Sequence, residues 1–387
     1  MKIKNNTRGQ TITQRLKTYT PSKKSRSTLS VEMTQVCVFQ GHRDGIWDVA
    51  HTRSGPALVG AASADGVALM WDVESGHAIL KYIGHTGSVN GLSFHPRDTL
   101  CCSVAGDSSA HIWKYSSGTH ARQRSSSGNP MDRSTTKHDS SGEERNLSDE
   151  DPTVDTPPVA TVKQPVRVLT EHRAPVMACD WLADGHQLVT ASWDHTAKLW
   201  DIESGQIIHS LEGHDQELTH VSAHPTQQLL VTSSVDTTFR LCDFRAPPIH
   251  SVNVFQGHSK AVNSCAFSLR DNIVSASDDH SLKIWDLRNM RSPLDSVRLD
   301  CGINRISVSH GNRPILAVPL DNRHLKLYDL SGSRLAQLPR RQRQAHRRMV
   351  CSVTWSHDSH VSTERCNLFS AGFDNKVVGW KVKFEQQ

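Results

Sequence analysis

The sequence has no apolar stretch of about 18 residues, the length that crosses a membrane as a helix, and only 6% of its residues are aromatic. The cationic N-terminus is followed by no apolar stretch, so it lacks the pattern of a secretory signal. No CxxC pair occurs, and the nine cysteines are scattered, mostly in apolar segments such as those around Cys179, Cys265 and Cys351. This usage predicts buried free thiols in a reducing compartment and argues against a disulfide framework.

Acidic residues are absent from residues 1–30, which contain eight cations. The chain has a formal net charge of +5, so setting those eight cations aside leaves the remainder at −3. A nucleic-acid-binding domain usually carries its positive charge on a folded face, whereas this excess belongs to the N-terminal end. We therefore predict that residues 1–33 form a basic disordered tail and that the folded part does not bind nucleic acid.

An Asp followed six positions later by a Trp recurs along the chain, and a His at the end of a polar loop precedes most copies. The complete copies are Asp65…Trp71, Asp107…Trp113, Asp194…Trp200, Asp279…Trp285 and Asp374…Trp380, and the degenerate copies are Asp236…Cys242 and Asn322…Tyr328. The preceding histidines are His42, His85, His172, His214, His258 and His346. Most copies are 42 or 43 residues apart, a period that resembles the WD-repeat family, in which each repeat forms one four-stranded blade.

Seven copies in phase predict an all-β, seven-bladed WD-repeat β-propeller over residues 34–382. The last Trp is followed by too few residues for an outer strand, and the unassigned stretch 34–40 precedes the first repeat. Pairing that stretch with the last blade closes the ring and removes an open sheet edge. One gap of 87 residues contains a polar segment, 116–163, which we predict to be a disordered loop between blades 2 and 3.

A Ser, His and Asp recur together and resemble a hydrolase triad, but an active site is built once and these residues return in several blades. The WD-repeat resemblance implies a buried hydrogen-bonded tetrad that stabilises each blade. The predicted members are His42, Ser63, Asp65 and Trp71; His85, Asp107 and Trp113; His172, Ser192, Asp194 and Trp200; His214 and Asp236; His258, Ser277, Asp279 and Trp285; and His346, Asp374 and Trp380. The sequence contains neither a Gly-rich phosphate loop nor close metal-ligand spacing, so we predict no catalysis, cofactor, metal site or small-molecule substrate.

The residue before each tetrad Asp is expected near one face of the ring, and in two blades it is a large apolar residue, Trp193 or Phe373. In three blades the residue after the tetrad His is an arginine, namely Arg43, Arg173 or Arg347. Aromatic residues and arginines are common anchors of protein interfaces, so these five are candidate partner-binding residues. The alternative is that they pack against loops of their own blades.

The segment 212–258, with 42–49, 287–293, 346–352 and 367–374, resembles one group of WD-repeat scaffolds. That resemblance implies a non-enzymatic scaffold of the cytoplasm and nucleus whose partners are acidic-cluster sorting proteins, which act in membrane traffic and endoplasmic-reticulum calcium handling. Two blades also end in an Asp-x-Arg box, Asp243 with Arg245 and Asp286 with Arg288. Such boxes are typical of substrate receptors of cullin-type ubiquitin ligases, which is the alternative function. Each Arg could equally form an ion pair on the blade surface.

Overall fold

The computed structural model describes residues 30–116, 159–244, 251–268, 271–288, 291–309, 314–337, 346–356 and 365–385. Within these residues the regular secondary structure is β-strand, arranged as seven sheets that form the blades of a β-propeller. The seven-bladed all-β prediction is therefore confirmed.

Blades 1 to 4 follow one another along the chain. Blade 1 contains β2 (Ile46–His51), β3 (Leu58–Ser63), β4 (Ala68–Asp72), β5 (Ala78–Tyr82) and β9 (Ala160–Val162). Blade 2 contains β6 (Val89–Phe94), β7 (Leu100–Ala105), β8 (Ala110–Lys114) and β10 (Arg167–Leu169). Blade 3 contains β11 (Val176–Trp181), β12 (Gln187–Ser192), β13 (Ala197–Asp201) and β14 (Ile207–Leu211). Blade 4 contains β15 (Leu218–Ala223), β16 (Leu229–Ser234), β17 (Phe239–Asp243) and β18 (Ser251–Phe255).

The remaining three blades complete the ring, and blade 7 takes one strand from the N-terminal end. Blade 5 contains β19 (Val262–Ser268), β20 (Asn272–Ser277), β21 (Ser281–Asp286) and β22 (Asp295–Arg298). Blade 6 contains β23 (Ser307–Val308), β24 (Ile315–Pro319), β25 (Leu325–Asp329) and β26 (Arg334–Gln337). Blade 7 contains β27 (Val350–Trp355), β28 (Leu368–Gly372), β29 (Val377–Glu385) and β1 (Ser30–Phe39).

The closing strand β1 pairs antiparallel with β29, as predicted, but it is longer than the sequence indicated. Pairing runs from Ser30 opposite Glu385 to Phe39 opposite Val377. Met33, which we assigned to the tail, is buried and packs between blades 6 and 7. The predicted boundary at residue 34 is therefore wrong by four residues, because a side chain inside the assumed tail has a core position to occupy.

The long insertion lies within blade 2, between its third and outer strands, because β10 follows the insertion and pairs with β8. This corrects the predicted location between blades 2 and 3. The predicted loop also ended too late, since β9 lies within 116–163 and pairs in parallel with β5. Residues 117–158 are outside the described residues.

The core is divided into seven apolar clusters, and each cluster lies between two neighbouring blades. Between blades 7 and 1, for example, Phe39 and Trp71 pack with Phe369. The inner strands of each blade are covered on both faces by the neighbouring blades, which explains their continuous apolar character. All nine cysteines are free and seven are buried, as the sequence predicted.

Candidate functional site

Blade 3 shows how a complete tetrad is built. The indole N–H of Trp200 donates to the hydroxyl oxygen of Thr190 at 2.8 Å. The Nε2 atom of His172 lies 2.7 Å from the same oxygen, and Nδ1 lies 2.7 Å from a carboxylate oxygen of Asp194. Because an ionised carboxylate can only accept, Nδ1 of His172 donates its proton to Asp194, and the imidazole joins that carboxylate to the hydroxyl of Thr190.

Blades 2, 5 and 7 repeat this arrangement with a serine hydroxyl. Their members are His85, Ser103, Asp107 and Trp113; His258, Ser275, Asp279 and Trp285; and His346, Ser370, Asp374 and Trp380. Blade 4 has His214, Thr232 and Asp236, but Cys242 stands where the Trp is expected. Four tetrads are thus complete among the blades described.

Blade 1 lacks the tetrad hydroxyl. His42 pairs with Asp65 at 3.0 Å, but Ala61 occupies the position of Thr190. The indole N–H of Trp71 consequently donates to the backbone carbonyl of Gln40, and Nε2 of His42 is buried without a hydrogen-bond partner.

The tetrad hydroxyl lies two residues before the serine that we predicted, so the assignments of Ser63, Ser192 and Ser277 are wrong. Ser192 instead donates to backbone carbonyls of the His loop and accepts the backbone N–H of Asp194. Ser63 and Ser277 likewise bond to their own His loops. Residues two apart on a strand face the same side, so both hydroxyls lie on the tetrad side and sequence spacing alone does not choose between them.

The Asp of each tetrad also shapes the turn that follows it. The carboxylate of Asp194 accepts the backbone N–H of Thr196 at 3.0 Å, which stabilises the left-handed conformation of His195 between them, at φ 68°. Burial acts to raise the pKa of Asp194, but hydrogen bonds from His172 and Thr196 and the backbone N–H of Arg173 outweigh it and hold the pKa below its ordinary value. The carboxylate of Asp194 is therefore the charged centre of the blade 3 tetrad.

This geometry resembles a catalytic triad, but the hydroxyl has no access to a substrate. Thr190 is fully buried, and its oxygen is bonded to both the indole of Trp200 and the imidazole of His172. The tetrad therefore joins the His loop, two strands and the Asp turn. Within the described residues, no group of three or more His, Cys, Asp or Glu side chains is placed to hold a metal ion.

The His loops and Asp turns lie on one face of the ring, which we call the top face. Trp193 is 46% exposed there, and its side chain borders a cavity of about 320 Å³ at the mouth of the central channel. Trp47, Met177, Met349 and Glu217 also line this cavity. The position of Trp193 agrees with its prediction as an exposed apolar contact.

Phe373 is not exposed in the same way. It is half-buried, and its ring lies edge-on to that of Trp47, with 5.0 Å between the ring centroids. A side chain at Gly45 would collide with the Phe373 ring, so the glycine provides the space that the ring occupies. Phe373 therefore packs against the neighbouring blade 1, and not against loops of its own blade as in the alternative interpretation, and it positions Trp47 at the cavity.

The three predicted arginines lie on the top face with exposed side chains. The backbone N–H groups of Arg43, Arg173 and Arg347 each donate to the Asp of their own tetrad, at 2.8–3.1 Å. The tetrads therefore fix the backbone at these positions and direct the guanidinium groups into solvent.

The central channel contains a charged pair that sequence reasoning missed. The guanidinium of Arg305 lies 3.0 Å from the carboxylate of Asp48 and donates to the backbone carbonyls of Asn90 and Met177. Asp48, Gly91 and Ala178 are the third residues of the innermost strands of blades 1, 2 and 3, and Arg305 lies two residues before β23 of blade 6. A side chain at Gly91 would meet Val104 and the backbone of Met177 and Ala178. A large cation in one repeat opposite small residues in others is the signal that would have indicated this contact.

The model of the WD domain, G-beta repeat, matches residues 33–72, 76–114, 163–201, 205–243, 249–286 and 338–381. The chain belongs to the WD-repeat family. Within it, WD repeat-containing protein 37 of Xenopus laevis is 51% identical over 348 residues, which cover 89% of this chain and 68% of that protein. The human protein of the same name is 51% identical over 346 residues, covering 88% and 67%. A ribosome biogenesis protein WDR12 homolog of Nematostella vectensis is 30% identical over 229 residues, covering 58% and 50%.

The Asp-x-Arg boxes of this WD-repeat propeller lie at the ends of third strands. Arg288 is 82% exposed, and its guanidinium pairs with Asp271 at 3.1 Å, as expected for a surface ion pair. Asp243 is half-buried, and Arg245 is outside the described residues. The ligase-receptor interpretation gains no support from this geometry. None of the described segments is a helix long and apolar enough to span a membrane.

Proposed function

We propose that this WD-repeat propeller is a non-catalytic scaffold that binds a partner protein through its top face, with Trp193 as the main apolar contact. The observation that carries the proposal is the half-exposed indole of Trp193 beside the 320 Å³ cavity. Exposed aromatic side chains next to a cavity are typical anchors of protein interfaces. Propellers of this family are generally non-catalytic, and the buried tetrads agree with a structural role for the recurring His, Ser and Asp residues.

The partner that this face fits carries acidic side chains. The side chains of Arg43, Arg173 and Arg347 are exposed on the top face, and their guanidinium groups favour carboxylates or phosphates. An acidic-cluster sorting protein has this chemistry, and such a partner would place the scaffold in membrane traffic or endoplasmic-reticulum calcium handling. The cytoplasm and nucleus are the locations that we propose for such a scaffold.

Replacement of Trp193 tests the site directly. The variant Trp193→Ala should melt at the temperature of the parent chain but lose its main partner in affinity purification with quantitative mass spectrometry. Loss of an aromatic anchor typically costs about 2 kcal/mol of binding free energy. Ile208→Ala is the matched control, because Ile208 is also exposed, at 37%, but lies on the outer strand of the same blade.

The charge requirement is tested separately. Arg43→Glu, Arg173→Glu and Arg347→Glu should each weaken binding of the same partner, most strongly at low salt, where exposed charges are least screened. Unchanged partner recovery with Trp193→Ala would contradict the top-face site. Loss with Trp193→Ala but not with the three charge reversals would leave the site standing and contradict the acidic partner.

A further inference from the structure

Four of the exposed large apolar residues lie in or directly beside the outer strands of blades 1 and 2. They are Ile83, Val159, Val166 and Val168, with exposures of 39%, 41%, 65% and 45%, and together we call them the rim patch. In the part of the chain that the structure describes, the other five are Val38, Trp193, Ile208, Val254 and Leu294. Single exposed apolar residues are ordinary, whereas a group of them at a sheet edge indicates an interaction surface.

The rim patch is held together by hydrogen bonds between the two blades' outer strands and the segment that joins them. The carbonyl of Val162 in β9 accepts the N–H of Ile83 at 2.9 Å, and the N–H of Val166 donates to the carbonyl of Ile112 at 2.7 Å. Val168 lies opposite His111 in the pairing of β10 with β8. The segment 159–168 thus runs from the edge of blade 1 to the edge of blade 2, and Val159, Val166 and Val168 are exposed on it.

Within the described residues, strand β9 also leaves an open edge. It is the last strand of the five-stranded sheet of blade 1, and β5 occupies only one of its two sides. Proteins usually protect such an edge with charged residues, a proline or a bulge. Here Ala160 and Thr161 are exposed on the strand and Val159 precedes it, so side chains place little obstacle to a further strand.

The two chain segments that carry the rim patch contain cations and no acidic residue, although Asp201 of blade 3 interacts with Arg167. Residues 78–97 and 159–170 contain no acidic residue. Lys163 is exposed beside β9, and Lys81 is half-buried on β5. Arg167 is occupied, because its guanidinium donates to the backbone carbonyls of Glu203 and Ser204. Two copies of this chain would bring like charges together, whereas a partner with acidic residues would be attracted.

We infer that the rim patch binds an extended segment of a partner protein, in which aliphatic side chains alternate and acidic residues flank them. The segment adds to the open edge of β9, with main-chain hydrogen bonds providing affinity and contacts with Val159, Val166 and Lys163 providing selectivity. This surface lies on the outer edge of blades 1 and 2 and is separate from the top-face cavity.

The probe is a short fluorescent peptide in which valine alternates with threonine between pairs of glutamates, and its binding to the full chain is followed by fluorescence anisotropy. The parent protein should show saturable binding. Lys163→Glu should weaken it by about tenfold, through loss of attraction and gain of repulsion. A peptide with lysines in place of the glutamates should bind the Lys163→Glu variant more tightly than it binds the parent chain.

Val166→Asp should abolish binding while Val254→Asp, a change at a 43% exposed valine on the outer strand of blade 4, should leave it intact. A peptide with proline at alternate positions should fail to bind, because proline removes main-chain N–H donors. The inference is overturned if the parent chain shows no saturable binding, if the proline peptide binds equally, or if Val254→Asp has the effect of Val166→Asp. Concentration-dependent self-association that Val166→Asp removes would assign the patch to a second copy, which also overturns it.

Discussion

The guanidinium of Arg305 and the carboxylate of Asp48 join blade 6 to blade 1 across the central channel, at a distance of 3.0 Å. Both side chains are mostly buried, with exposures of 12% and 16%. Arg305 also bonds to carbonyls in blades 2 and 3, so one side chain connects four blades. Separate apolar clusters hold each pair of neighbouring blades together. The Arg305 contacts add a link between blades that are not adjacent.

Arg305→Met should destabilise the propeller by about 3–5 kcal/mol, because it leaves Asp48 buried without its counterion. Urea denaturation gives the free energy of unfolding. Arg288→Met is the control, since its ion pair with Asp271 is exposed and should contribute no more than about 1 kcal/mol. Similar small effects of the two changes would show that the channel pair is not a structural link.

Ala61→Ser should stabilise the protein by about 1 kcal/mol. The new hydroxyl would stand where the other tetrads have theirs and would satisfy the buried Nε2 of His42. Thermal melting measures the change. Ala62→Ser is the control. Ala62 is as buried as Ala61 but faces the opposite side of the sheet, where a new hydroxyl has no tetrad to join, so this change should destabilise the protein. Equal destabilisation by both changes would contradict the interpretation that the blade 1 tetrad lacks only its hydroxyl.

Asp194→Asn should remove part of the acid sensitivity of the fold. The pKa of Asp194 is lowered in the folded state, so the carboxylate contributes stability above the unfolded pKa of about 4. That contribution is lost as the pH falls below about 4 toward the lower folded value. The melting-temperature difference between parent and variant should be constant from neutral pH to about pH 5 and should shrink below pH 4. A difference that stays constant through the acid range would contradict the charged carboxylate.

Removal of residues 1–29 should leave the melting temperature unchanged, whereas removal of 1–39 should open the ring and cause aggregation, because β29 then has an unpaired edge. Removal of residues 1–33 tests whether the closing strand begins at residue 30, as in the structure, or at residue 34, as the sequence predicted. It should be destabilising, since Met33 is 2% exposed and loss of a buried Met side chain costs about 2–5 kcal/mol. Equal stability of the chains that start at residues 30 and 34 would support the shorter closing strand, which begins at residue 34.

The tetrads show which site residues sequence spacing can predict and which it cannot. His172, Asp194 and Trp200 were assigned from their recurrence, and the structure brings them together as expected. The hydroxyl was misplaced because Thr190 and Ser192 lie on the same side of one strand, where spacing does not distinguish them. Phe373 was misjudged because the glycine that makes room for its ring belongs to a different blade, at Gly45.

The sequence by itself determined the number of blades, their order and the His–Asp pairs of blades 1 to 5 and 7, because these features repeat within about 40 residues and need only local strand pairing. Tertiary structure alone decided the Arg305–Asp48 contact and the position of β9 on blade 1. Residues that meet there are separated by long stretches of chain and belong to different repeats. Their contacts depend on how the closed ring brings distant segments together, and no periodic pattern encodes that distance.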